Sequence, residues 1–360
     1  MLLSEKLLMK SWRPTITELC WNQSGTVYTS GTPRVLYAGS KKVLYSTSGG
    51  YDVVVNYTNP TTPSVTYDSH NIKTFSSPDS SSSGMVYYGV ERTNNSTGTY
   101  TFYTKTITPS TDTISETSQT IAGIQSGNTW SGANAALINN VPVFIGRKGA
   151  VSTNPGYVLY ANTTALLDYS TGAFKLGNLK KLANNLYVYG RSQNGVATVV
   201  TYFKGTSTSA DPSTANRVAR VDLVYNGAYY ALWDNCYGLY KRDTSFNQVW
   251  SIEIKNKANE SQYIKFLGAY NGYLYAVGIP ASSDSTVQVC TLYMIDPSDG
   301  SIKHEYDFAD SFKNYLSYTW TNSCSGMRAI TNEPIISYNG YFALIVTISS
   351  PIDMFVIKVP

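Results

Sequence analysis

The sequence predicts an all-β protein assembled from repeated antiparallel sheets, and two observations support this fold class. The first is composition: the 360 residues include 31 tyrosines and 27 glycines, and only 14% are charged. Aromatic and β-branched side chains suit half-buried pleated surfaces. The second is a phrase written three times, as VYNGAYYALW from Val224, AYNGYLYAVG from Ala269 and SYNGYFALIV from Ser337.

Each copy of the phrase places a tight turn before an aromatic, β-rich segment, and weaker copies extend the series to seven. The turn residues, spaced 42 to 68 residues apart, are Pro33, Gly84, Asn140, Asn185, Gly227, Gly272 and Gly340. A repeat of this length is typical of stacked supersecondary units. We therefore predict second strands that start near residues 34, 85, 141, 186, 228, 273 and 341.

A second turn signal follows the first at a fixed distance, in DYSTG from Asp168, DTSFN from Asp243 and DPSDG from Asp296. Asp bonds to the backbone N–H groups that follow it, and Gly or Asn tolerates the positive φ that closes a tight turn. The repeating unit is therefore predicted to be strand, Asn-Gly turn, strand, loop, strand, Asp turn and strand.

Four antiparallel strands in such a unit are typical of a β-propeller blade. Each sheet has two apolar faces, which it can bury only against neighbouring sheets. We predict a seven-bladed β-propeller of four-stranded antiparallel blades, forming a single domain over residues 15–360. Because the chain ends two strands into the last blade, residues 15–21 are expected to add its outer strand and close the ring.

The blade endings DTSFNQVW and DPSDGSIKHEY carry a family resemblance. They are similar to the endings of the broad pyrroloquinoline-quinone-like and YVTN-like seven-bladed propellers. The resemblance extends over residues 25–360 as a blade pattern and is specific in three or four blades. It implies the fold and carries no functional residues with it.

Residues 1–14 form an N-terminal extension in which Leu3, Leu7 and Leu8 would share one face of a short helix. This helix would either cover the rim of the propeller or anchor it to a partner subunit. Glu5 and Lys6 interrupt what would have to be a signal-peptide core, and no stretch is apolar enough to span a membrane. The composition of the whole chain resembles that of virion or cell-surface proteins, and a cytoplasmic location is left open.

The four cysteines, Cys20, Cys236, Cys290 and Cys324, lie far apart and include no Cys-x-x-Cys pair. This spacing predicts neither a zinc site nor the dense disulfide framework of a small secreted domain, and leaves their pairing open. No metal or cofactor is expected.

Catalytic patterns are sparse. His70 and His304 are the only histidines, so neither a His-based triad nor a three-His metal site can be assembled. A propeller glycosidase needs two carboxylates at the channel, and the predicted innermost strands offer Asp222 and Glu333. The alternative to catalysis is that both are solvated carboxylates near the axis.

A set of cations falls in the loops predicted between second and third strands, which would share one face. Its members are Lys41, Lys42, Arg92, Arg147, Lys148 and Arg191, with Trp233 beside them. Either this face docks an anionic partner or the charges serve solubility. A net charge of +4 is too small to indicate nucleic acid by itself.

The favoured function is a non-enzymatic structural or receptor-binding propeller on a virion or cell surface. Its expected partners are a host-surface glycan, an anionic envelope component or another structural subunit, including a second copy of itself. The alternative is a polysaccharide hydrolase or lyase acting in the central channel. An intracellular WD-repeat scaffold is disfavoured because no Trp-Asp strand ending recurs.

Overall fold

The structure is a computed structural model that describes twenty segments of the chain. They are residues 12–23, 34–47, 51–69, 79–81, 84–94, 99–108, 110–122, 135–138, 140–148, 156–169, 174–183, 186–193, 196–204, 207–208, 223–232, 237–244, 247–280, 290–308, 339–347 and 352–360. Within these segments all regular secondary structure is β-strand. The N-terminal helix predicted for residues 2–10 lies outside the described residues.

Strand β1 comes first and is followed by six sheets of four consecutive strands each. The first three of these sheets comprise β2 (Arg34–Ala38), β3 (Lys42–Ser46), β4 (Tyr51–Asn56) and β5 (Ser64–Ser69); β6 (Asp79–Ser81), β7 (Gly84–Asn94), β8 (Thr99–Thr108) and β9 (Thr113–Ile121); and β10 (Ala135–Ile138), β11 (Val141–Lys148), β12 (Gly156–Ala161) and β13 (Thr164–Tyr169). β1 itself spans Thr15–Trp21.

The next three sheets repeat this order, and the two last strands of the chain follow them. They comprise β14 (Phe174–Ala183), β15 (Leu186–Gln193), β16 (Val196–Lys204) and β17 (Ser207–Thr208); β18 (Leu223–Tyr225), β19 (Ala228–Leu232), β20 (Gly238–Arg242) and β21 (Gln248–Glu253); β22 (Gln262–Tyr270), β23 (Tyr273–Pro280), β24 (Thr291–Ile295) and β25 (Ile302–Asp307); then β26 (Tyr341–Thr347) and β27 (Ile352–Lys358).

The two ends of the chain meet in one further sheet of order β1-β27-β26. β1 pairs antiparallel with β27 from Thr15 opposite Lys358 to Trp21 opposite Ile352, which confirms the predicted closure. The prediction of seven four-stranded blades is corrected, because the described residues contain six four-stranded sheets and this three-stranded one. The innermost strand of this last blade is predicted at MRAITNEPIISY, residues 327–338, which lie outside the described segments.

The strand order of the first sheet also corrects the sequence prediction. Residues 34–38 were expected to form a second strand after a turn at Pro33, yet β2 is the edge strand of its sheet and β3 is the second. Gly39 N–H donates a 2.8 Å hydrogen bond to Lys42 O, so the first turn closes at residues 39–42. Lys41 and Lys42 therefore lie at the first turn of the sheet and not at its second.

The chain forms two compact units. One comprises Met1–His70, Leu232–Lys241 and Trp250–Pro360, and the other comprises Asn71–Ala231 and Arg242–Val249. In the first unit, β26 and β27 bury both of their faces. Phe342 and Phe355 face a core shared with β23 and β24, whereas Ala343 and Met354 face a core shared with β2 to β4. Burial on two faces explains why these strands read as nearly continuous apolar runs.

Aromatic rings form a buried cluster in the core of the second unit. Phe144 lies between Tyr160, with ring centroids 5.5 Å apart, and Tyr100, at 6.1 Å. Val90 and Ile121 are buried in the same cluster. Tyr100 and Ile121 belong to the β8–β9 pair of the second sheet, whereas Phe144 and Tyr160 belong to the third sheet. The cluster that contains all four therefore packs the second sheet against the third.

Both predicted turn signals form as expected. Asn271 and Gly272 have φ values of 47° and 88°, and positive φ at both central residues is the geometry of the hairpin turn that Asn-Gly favours. In the DPSDG turn, the Asp296 carboxylate accepts a 2.8 Å hydrogen bond from Ser298 N–H. Gly300 N–H donates to Asp296 O at 2.9 Å to close the loop.

Candidate interaction surface

The residues predicted for channel catalysis, Asp222 and Glu333, lie outside the described residues, as do Trp233 and His70. The hydrolase or lyase alternative therefore stays a prediction. Among the described side chains, no group of three His, Cys, Asp or Glu is placed to hold a metal ion. The described segments also contain no helix that is long and apolar enough to cross a membrane.

The predicted cationic set divides according to position within the sheets. Arg92 lies in β7, Arg147 and Lys148 end β11, and Arg191 lies in β15, so these four belong to second strands near the connection to the third. Lys41 and Lys42 instead lie at the first turn of their sheet. The six cations thus do not occupy equivalent loops.

First turns of neighbouring sheets meet in the first unit. The sheet β22 to β25 shares a hydrophobic core with the β1-β27-β26 sheet, which in turn shares a second core with β2 to β5. At the turn before β26, a Cβ added to Gly340 would lie 2.8 Å from the Tyr270 ring. Tyr341 packs against the second core. The turns before β23 and β26 are therefore in direct contact.

We call this end of the three sheets the first-turn surface, and define it by four cations and two tyrosines. Its members are Arg13, Lys41, Lys42, Tyr270, Tyr341 and Lys358. Arg13 and Lys41 are exposed, and the other four are half-buried.

Lys358 is held between aromatic rings. Its Nζ lies 4.7 Å from the centroid of the Tyr270 ring and 5.4 Å from that of Tyr341. It also donates to Tyr270 Oη at 3.4 Å and to Val359 O at 3.1 Å. Cation–π contacts orient an ammonium group without neutralising it. The charge of Lys358 is thus presented in a fixed position.

The turn that carries Lys41 is also fixed by hydrogen bonds. Tyr57 N–H donates to Lys41 O at 2.8 Å, and the buried Tyr57 hydroxyl donates to Gly39 O. Both bonds tie the first turn of this sheet to the chain that leaves β4. The backbone that carries Lys41 and Lys42 is therefore held in one conformation by these hydrogen bonds.

The DPSDG turn of the same unit carries two acids, Asp296 and Asp299. Hydrogen bonds from Ser298 hold the pKa of Asp296 below its usual value, and those from Ser301 do the same for Asp299. Lys303 Nζ lies 3.3 Å from the Asp296 carboxylate. These two acids therefore stay ionised at neutral pH, and the charge of Asp296 is paired with that of Lys303.

Sequence reasoning did not find Arg13, Lys358 or the two tyrosines of this surface. A usable signal was present, because a Tyr precedes Asn-Gly in all three copies of the phrase, at Tyr225, Tyr270 and Tyr338. The role of Lys358 depends on packing between sheets, which no local motif encodes. As a whole, the arrangement is a positively charged, tyrosine-rich surface suited to an anionic partner.

Comparison with solved structures defines the fold class. The structure is similar to the WD40 β-propeller domain of Doa1, with a TM-score of 0.51 and 11% identity, over 96% of this chain and 97% of that one. The β-propeller domain of Cps50 (Swd1) from Myceliophteria thermophila has a TM-score of 0.46 and 9% identity, over 95% of this chain and 100% of that one. Together with the sheet order, the first likeness shows an all-β β-propeller.

No protein-family model and no curated protein matches the sequence. At 11% identity the likeness to the Doa1 domain concerns the fold alone. The resemblance of the blade endings to pyrroloquinoline-quinone-like and YVTN-like propellers stays a prediction.

Proposed function

We propose that this β-propeller is a non-enzymatic interaction module that binds an acidic protein segment at its first-turn surface. One observation carries the proposal: Lys358 lies over the Tyr270 and Tyr341 rings where two packed sheets meet, and Lys41 and Lys42 lie at the first turn of a third sheet that packs against one of them. Tyr and Arg are enriched in protein interfaces, and complementary charge raises the rate of encounter. The chemistry of the surface fits a partner that offers carboxylates and apolar contacts together.

The fixed positions of the cations on this surface support a protein partner. Lys358 is restrained by Tyr270 and Tyr341, and the turn under Lys41 is restrained by Tyr57. Side chains and loops ordered before binding lose less conformational entropy on association. A surface of this kind binds an extended acidic segment at lower entropic cost than flexible surface lysines would.

The proposed location rests on composition alone. A low-charge chain rich in Tyr, Ser, Thr and Asn is typical of virion and cell-surface proteins, and we retain that location as part of the proposal. A glycan or an anionic envelope component would present similar negative charge, so the experiment must separate these classes.

The test is fluorescence anisotropy with a labelled peptide rich in Glu and Asp, at low and high salt. The informative variant is Lys41→Ser/Lys42→Ser. Its matched control is Arg147→Ser/Lys148→Ser, which removes the same charge from the second strand of another sheet. We expect the first variant to weaken binding about tenfold, or roughly 1.4 kcal/mol, and the control to weaken it little.

Equal weakening by both variants would mean that net charge alone attracts the peptide, and would contradict a defined surface. Failure of the wild-type protein to bind the peptide would overturn the proposal. Heparin and vesicles with anionic lipid serve as parallel probes. Binding to either of them without binding to the peptide would assign the surface to a glycan or to an envelope instead.

A further inference from the structure

The outer strand β9 is the last strand of its sheet, after β6, β7 and β8. It pairs with β8 at nine successive positions, from Thr113 opposite Thr108 to Ile121 opposite Tyr100, without a register shift. A strand at a sheet edge directs a row of backbone N–H and C=O groups away from the sheet, where another strand can pair with them. β9 therefore offers a regular edge, without a bulge, for strand addition.

Within the described part of the chain, β9 lacks the features that normally protect an edge. Natural edge strands are kept short or carry Lys, Pro or a bulge. The sequence TISETSQTI has no Lys and no Pro, its one charge is Glu116, and most of its side chains are exposed. The other described outer strands have two to seven residues, against nine in β9.

From this edge we infer that β9 pairs antiparallel with β9 of a second copy of the chain, about a two-fold axis at Thr117. In that register, Thr113 is opposite Ile121, Ile114 is opposite Thr120, Ser115 is opposite Gln119, Glu116 is opposite Ser118, and Thr117 is opposite itself. A two-fold axis can pass through either type of residue pair in an antiparallel ladder, so the hydrogen-bonding pattern is satisfied in both cases.

The side chains favour this self-pairing. The register creates two pairs of Ile114 with Thr120 and a central Thr–Thr pair, and cross-strand pairs of β-branched residues stabilise antiparallel sheets. Glu116 is opposite Ser118 of the second copy, so no like charges are directly opposed. The Glu116 carboxylate is also compensated within its own chain, because Lys105 Nζ lies 3.1 Å away.

The interface would be small. One pair of strands buries less than the roughly 1,200 Å² of a standard interface, so we expect a dissociation constant in the micromolar range. This inference is independent of the function proposed for the first-turn surface, which lies in the other compact unit.

Sedimentation velocity of the full chain over a range of concentrations tests the inference. We expect a monomer–dimer equilibrium for the wild-type protein. Thr117→Lys and Thr117→Glu each place like charges directly opposite at the axis, and should weaken dimerisation about tenfold. An equimolar mixture of the two variants should regain dimers, because Lys is then opposite Glu.

Thr66→Lys is the matched control, since Thr66 is an exposed threonine on the outer strand β5. It should dimerise like the wild-type protein. A wild-type chain that stays monomeric at every concentration would overturn the inference, and so would dimers that neither Thr117 variant weakens. Circular dichroism of each variant verifies folding, and loss of dimers without rescue in the mixture counts against the two-fold register.

Discussion

Trp12 stacks on His304, with ring centroids 5.0 Å apart and planes inclined by 13°. Trp12 lies just before β1, whereas His304 belongs to β25, the outer strand of the neighbouring sheet. Burial lowers the pKa of His304 below its ordinary value. The contact therefore ties the N-terminal segment to that sheet and makes the tie sensitive to pH.

The sign of this pH dependence follows from linkage. When the pKa of a histidine is lower in the folded state than in the unfolded state, the unfolded state binds more protons at pH values between the two pKa values. The free energy of unfolding therefore falls as the pH falls through that range. His304→Gln should therefore lose less thermal stability than the wild-type protein between about pH 7.5 and about pH 5.5. Thermal unfolding at both pH values measures this, with His70→Gln as the control. An unchanged pH dependence in His304→Gln would contradict the prediction.

The reactivity of Cys20 should be low although the residue is exposed. Cys20 is opposite Asp353 in the β1–β27 pair, and a hydrogen bond from the thiol to that carboxylate, with partial burial, raises the pKa of Cys20 to about 11. Because the thiolate is the reactive form, Asp353→Asn should accelerate alkylation of Cys20 about tenfold at mildly alkaline pH.

Mass spectrometry of the Cys20 peptide after timed reaction with iodoacetamide measures the rate. Glu18→Gln is the control, because Glu18 also raises the pKa of Cys20 but is the smallest of its causes. Equal acceleration by both variants would indicate that overall negative charge, and not the hydrogen bond to Asp353, suppresses the thiolate.

Substitutions at two turn glycines allow the cost of backbone strain to be measured separately from the cost of a steric clash. Gly272 and Gly340 have φ values of +88° and +79°, but a Cβ at Gly272 meets nothing within 4 Å, whereas a Cβ at Gly340 would lie 2.7 Å from Lys358 Nζ. Gly272→Ala should cost about 1 kcal/mol of unfolding free energy through positive φ alone. Gly340→Ala should cost about 2 kcal/mol more, because Lys358 and Tyr270 must also move.

Urea unfolding of the two variants provides the comparison. Similar losses of unfolding free energy would show that the first turns before β23 and β26 are equally open, and would contradict the contact between neighbouring turns.

The Lys105–Glu116 ion pair is largely shielded from water, with 5% and 22% of the two side chains exposed. Removing one member leaves a buried charge uncompensated, so Glu116→Gln should cost about 3 kcal/mol of unfolding free energy. The double variant Lys105→Met/Glu116→Gln should recover most of that loss, because it removes the buried charge as well. Chemical denaturation of the single and double variants tests this, and a double variant as unstable as Glu116→Gln would disprove it.

The sequence predicted the turns better than the strand order of individual sheets. Asn271 and Gly272 form the expected hairpin, because the positive φ they favour is a property of the residues themselves. The sequence predicts residues 34–38 as the second strand of the first sheet and not as its first, because the first turn, Gly39 to Lys42, lacks an Asn-Gly pair. Its two apolar strands, RVLYA and KVLYS, are equally plausible as a second strand.

What the sequence determined by itself was therefore the local chemistry: the all-β fold class, the positions of most turns and the need of an incomplete last sheet for a terminal strand. The tertiary structure decided which distant residues meet, as when Thr15 pairs with Lys358 and Lys358 lies over Tyr270. Turn conformation depends on a few adjacent residues, whereas the neighbours of a side chain depend on which sheet faces bury each other. The first-turn surface and the edge of β9 both belong to that second level.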